Sequence, residues 1–67
     1  MQEKGIPDIL GCHKGRFIGL EVKRPGKDYR EPTMYQKKRL REIRLSGGIA
    51  GVVTSVEEAI DLVSKNL

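Results

Sequence analysis

Apolar and polar positions alternate most clearly between Arg16 and Lys23. Successive side chains of a strand point to opposite faces, so Ile18, Leu20 and Val22 share one face and Phe17, Gly19, Glu21 and Lys23 the other. The first face is apolar, and the second ends in a carboxylate and an amine. An earlier run from Ile6 to Leu10 predicts a shorter strand, in which Pro7 is admissible if its missing N–H faces away from a ladder. Between the two, Cys12-His13-Lys14-Gly15 supplies a hairpin turn, with Gly15 at the positive-φ position that such turns favour. From Arg24 to Pro32, two prolines, a glycine and the lack of any period predict a loop.

A helical pattern follows. Thr33-Met34-Tyr35-Gln36 fits a capping box, and the helix runs to about Ser46, where Gly47-Gly48 ends it. Leu40 and Ile43 form a modest apolar stripe, while Lys37, Arg41 and Arg44 fall together at i, i+4 and i+7. Ile49 to Thr54 is an apolar run of strand length, expected inside the sheet. Ser55-Val56-Glu57-Glu58 predicts a second capping box, and Val56, Ala59, Ile60 and Val63 an apolar stripe that makes the last helix part of the core. The order β-β-α-β-α, with a helix crossing over to the late strand, predicts an α/β fold: a small mixed sheet flanked by helices.

Length changes this picture, because 67 residues make one small domain that buries too little surface to be comfortably stable alone. A single cysteine, Cys12, excludes an internal disulfide, and no Cys/His cluster suits structural zinc. Association of two chains is the remaining economical support. No apolar run is long enough to cross a membrane and no signal-peptide pattern opens the chain, so a cytoplasmic location is expected. The net charge is +4, and every basic residue except Lys4 and Lys65 lies between Lys14 and Arg44. Such clustering points to a polyanionic partner, although solubilising surface lysines would account for part of the excess.

Candidate chemistry concentrates around the hairpin. Pairing of its strands brings Asp8 opposite Glu21 and Lys23, placing two carboxylates and an ammonium in one patch. Two adjacent carboxylates repel, and a hard divalent cation with oxygen ligands, Mg²⁺ or Mn²⁺, relieves that repulsion most simply. A lysine beside such a cation suits phosphodiester hydrolysis. His13 reads mainly as an exposed turn residue and Cys12 as a strand-end filler, since neither has a visible partner. Gln36 reads, from the sequence pattern, as the helix cap. Arg24, Lys27 and Arg30 belong either to a loop closing over a bound backbone or to a solvated connector.

Pro7-Asp8 followed by Glu21-Val22-Lys23 resembles the signature of the restriction-endonuclease-like PD-(D/E)xK nucleases. Gly5-Ile6-Pro7-Asp8, Glu21-Val22-Lys23-Arg24-Pro25, Gln36 and Gly47-Gly48 before an apolar strand are similar, more narrowly, to the VRR-Nuc group. The resemblance spans most of the chain and implies a restriction-endonuclease-like core, here without the usual N-terminal helix and the glutamate it adds; Glu3 is the only acid upstream of Asp8. It implies a metal-dependent endonuclease in which Asp8, Glu21, Lys23 and Gln36 are catalytic, and Asp8, Glu21 and the Val22 carbonyl hold Mg²⁺ or Mn²⁺. Lys14, Arg16, Arg24, Lys27, Arg30, Lys37, Arg41 and Arg44 would then contact DNA. Viral-type members imply a homodimer cutting branched or flapped DNA, Holliday junctions included, in a viral or bacterial host setting. Two readings from other classes stand beside this: a non-catalytic nucleic-acid-binding module, in which Asp8 and Glu21 pair with nearby cations, and a plain protein-interaction domain.

Overall fold

The computed structural model describes residues 5–24, 26 and 31–67. Its elements follow the order β1 (Ile9–His13), β2 (Arg16–Val22), α1 (Met34–Leu45), β3 (Ile49–Val53) and α2 (Val56–Lys65). β2 is the central strand of a three-stranded mixed sheet, antiparallel to β1 and parallel to β3. Strand alternation and the register place Gly19, Glu21, Gly48, Ala50 and Val52 on one sheet face, and Ile18, Leu20, Val22, Ile49, Gly51 and Val53 on the other. α1 packs on the first face, where a Cβ on Gly19 or Gly48 would meet Ile43. On the second face α2 packs so closely that a Cβ on Gly51 would lie 2.9 Å from Leu62. The apolar core is small: Leu20, Leu40, Ile49, Ala50 and Val53.

Four expectations are corrected. The first strand begins at Ile9 rather than Ile6, because Pro7 is buried against Gly19 and cannot donate to a ladder. Cys12 and His13 lie in β1, leaving Lys14-Gly15 as a two-residue connection with positive φ at both positions (50° and 79°). The late strand β3 lies at a sheet edge; Ile49, Ala50 and Val53 are nonetheless buried because helices cover both of its faces, while Val52 stays exposed. On α2, Ala59, Leu62 and Val63 are half-buried, while Val56 and Ile60 stay 72% and 62% exposed, so the helix is rotated away from its expected stripe and buries none of its residues fully.

The caps also divide. Around α1 the box closes: Gln36 N–H donates to Thr33 Oγ1 at 3.1 Å, and Thr33 N–H donates to Gln36 Oε1 at 2.8 Å. At α2 the Glu58 N–H donates to Ser55 Oγ, but the Glu58 carboxylate reaches back to the Thr54 N–H and hydroxyl, both at 2.6 Å, instead of to Ser55. Glu3 and the expected frayed lead-in at 1–4 lie outside the described residues, as do Pro25, Lys27 and Arg30 of the expected loop. Among the described residues, no helix is long and apolar enough to cross a membrane.

Candidate active site

The register sets Asp8, the residue before β1, level with Glu21 near the end of β2. Asp8 is exposed, and its Oδ2 accepts the Val22 N–H at 2.9 Å. A strand residue turns its N–H and C=O to the same side, so the Val22 carbonyl also faces the β1 side of the sheet. Glu21 is 2% exposed, the sole charged side chain buried among the described residues. Burial, then the hydrogen bond to the Asp8 carboxylate and its charge, push the Glu21 carboxyl from its ordinary 4.5 up to about 7, against a smaller opposing pull from Lys23. Near neutral pH the pair is held together by a proton.

Lys23 lies just beyond β2, anchored by its N–H to the Val53 carbonyl at 2.9 Å. Its Nζ sits 3.5 Å from Gln36 Oε1, at the outer limit of a hydrogen bond. Gln36 therefore closes the α1 cap and approaches the lysine with the same oxygen. The first turn of α1 is brought to this end of the sheet by Gly5. Its φ is +82°, and a Cβ there would lie 2.4 Å from the Tyr35 carbonyl oxygen.

The described basic residues do not form one surface. Lys14 and Arg16 lie at the hairpin tip, roughly 15–20 Å along β2 from Glu21 at about 3.3 Å per residue. Arg16 is further occupied in donating to the Asn66 carbonyl beyond α2. Arg24, Lys37 and Arg41 are exposed. Lys37 and Arg44 line a shallow hollow with Leu40, Gly51 and Val52, where Arg44 Nη1 donates to the Ala50 carbonyl at 3.0 Å. Lys27 and Arg30 lie outside the described residues.

Sequence reasoning passed over a second hollow, lined by Ile6, Pro7, Leu10, Phe17, Arg39 and Ile43. Its signal was the same alternation that found Glu21, since Phe17, Gly19 and Glu21 share a face. It also passed over the Arg39–Glu42 ion pair at 3.1 Å, which the i, i+3 spacing on α1 announces.

As a cation site, the donor set is two carboxylates and one carbonyl; among the described residues no third His, Cys, Asp or Glu joins them. That set fits a hard ion which keeps waters or borrows phosphate oxygens, as Mg²⁺ commonly does with one or two carboxylates. No family model, curated protein or solved structure matches the chain.

Proposed function

We propose that the chain is a metal-dependent DNA endonuclease of the restriction-endonuclease-like kind, resembling VRR-Nuc domains, that acts as a homodimer on branched or flapped DNA. The observation that carries this reading is the burial of Glu21 against Asp8 with Lys23 and Gln36 alongside. An acid buried at such cost on a strand with ready apolar alternatives has little structural reason to be there. Asp8, Glu21 and the Val22 carbonyl would hold Mg²⁺ or Mn²⁺, which when bound supplies Lewis acidity toward a phosphate and its attacking water. Lys23, steadied by Gln36, presents an ammonium to a phosphate oxygen and stabilises charge developing there. Lys37 and Arg41, exposed on the helix whose first turn meets the site, supply sequence-independent attraction for the backbone.

The limited donor set favours a second reading: a basic nucleic-acid-binding module without catalysis. One experiment separates the two. Flap, splayed-arm and four-way DNA are incubated with the chain in Mg²⁺, in Mn²⁺ and in EDTA, and cleavage and binding are measured together. Cleavage that EDTA stops and Asp8→Asn abolishes supports the endonuclease; undiminished binding in EDTA with no cleavage in either metal overturns it in favour of the module.

A further inference from the structure

The two outer edges of the sheet differ. Because Lys23 N–H donates to the Val53 carbonyl, Val53 and Gly51 turn their backbone polar groups toward β2, whereas Ala50 and Val52 turn theirs outward. The outward Ala50 carbonyl accepts from Arg44, so that edge is guarded by a charged side chain. Along β1, the alternation fixed by Val22 facing Asp8 makes Ile9, Gly11 and His13 turn inward and Leu10 and Cys12 outward. No strand pairs along this edge among the described residues. All five residues of β1 are exposed, and the strand contains neither a proline, a lysine nor an acid to discourage pairing. Apolar surface flanks it on both sides: Ile9 (49% exposed), Ile60 and Leu67 toward α2, and Leu10 (52%) and Phe17 toward α1.

We propose that β1 pairs antiparallel with β1 of a second copy across a two-fold axis at Gly11, setting Asp8 of each chain level with Lys14 of the other. Leu10 and Cys12 carry the outward groups, so self-pairing must set Leu10 against Cys12, Leu10 against itself or Cys12 against itself. The first register overlaps the whole of β1; each of the others overlaps three residues. It also brings Asp8 to the Lys14-Gly15 turn of the other chain, where Lys14 carries the opposite charge. The axis falls on a residue with room for close approach, since a Cβ on Gly11 would meet nothing within 4 Å. Pairing joins two three-stranded sheets into one of six strands and brings each chain's Lys14, remote from its own carboxylates, to those of its neighbour.

The pairing deepens the nuclease reading by naming the partner's contribution to the site, but it is measured without turnover. The parent chain should sediment near 15 kDa, twice its 7.5 kDa, at roughly 100 μM. Leu10→Lys, with the circular dichroism of the parent, should sediment as a monomer. Gly11→Cys combined with Cys12→Ser should cross-link under mild oxidation, because directly opposed Cα atoms lie about 4.5 Å apart, within disulfide reach. The parent's Cys12 pair, roughly 8 Å apart in this register, should not cross-link. A monomeric parent overturns the proposal, as does a dimer that cross-links through Cys12 but not through Gly11→Cys, or one that Leu10→Lys leaves intact. A dimer that never cleaves DNA overturns the nuclease reading alone; an active monomer overturns the pairing alone.

Discussion

Glu21 carries the largest electrostatic cost among the described residues, and that cost has a sign. The folded chain keeps a proton on Glu21 up to about pH 7, whereas the unfolded chain releases it near 4.5. Stability therefore falls as pH rises from about 4.5 to about 7, by on the order of 3 kcal/mol in all, and is level above that window. Glu21→Gln keeps a donor for Asp8 without the ionisation. Its melting temperature should match the parent's near pH 4, exceed it at pH 8, and show a flatter slope between; a parallel pH profile would mean that Glu21 does not titrate in this window. Lys23→Ala addresses the neighbouring charge. If the ammonium stabilises developing charge, single-turnover cleavage should fall on the order of a hundredfold with DNA affinity nearly kept. An equal loss in rate and affinity would make Lys23 a phosphate anchor.

Among the elements, the short segment from Gly5 to Asp8 does the most for its length, since it carries Asp8, buries Pro7 under Gly19 and passes against the α1 backbone at Tyr35. Gly5→Ala should cost roughly 2–4 kcal/mol, combining a left-handed backbone position with a clash against a backbone carbonyl. Thermal melting checks this, and a change under 1 °C would show that the approach is not needed. The helices were legible because Thr33, Ser55 and Gly47 mark ends by local chemistry. The arrangement of the candidate site was legible for a similar reason: alternation along β2 puts Glu21 and Lys23 on one face, and hairpin pairing brings Asp8 to their end of the sheet. Three things were not legible. Where β1 begins depends on Pro7 finding a tertiary pocket; the rotation of α2 depends on Leu62 fitting over Gly51; and the edge position of β3 is hidden because a strand covered on both faces has the same composition wherever it stands in the order.

For the molecule as a whole, the described basic side chains are spread over more than one surface, and this sorts the phosphate contacts. Lys37→Ala and Arg41→Ala should each weaken every DNA substrate alike and flatten the salt dependence by roughly one unit of slope. A shift in sequence preference would instead point to base reading. Arg44 differs, since its guanidinium serves the β3 edge. The distribution of burial has one more consequence. β2, β3 and the inner face of α1 hold the buried apolar side chains of the secondary-structure elements, whereas β1 is exposed along its length. In the Leu10→Lys monomer, where no second copy pairs along the β1 edge, hydrogen exchange should accordingly divide the chain into a slow unit around β2 and β3 and a fast one comprising β1. Because Asp8 travels with β1 and Glu21 with β2, each local opening takes the carboxylate pair apart while the rest stays folded. A divalent ion held by both should then slow exchange in β1 selectively and leave the β3 amides unchanged, so that the amide pattern reads out assembly of the site.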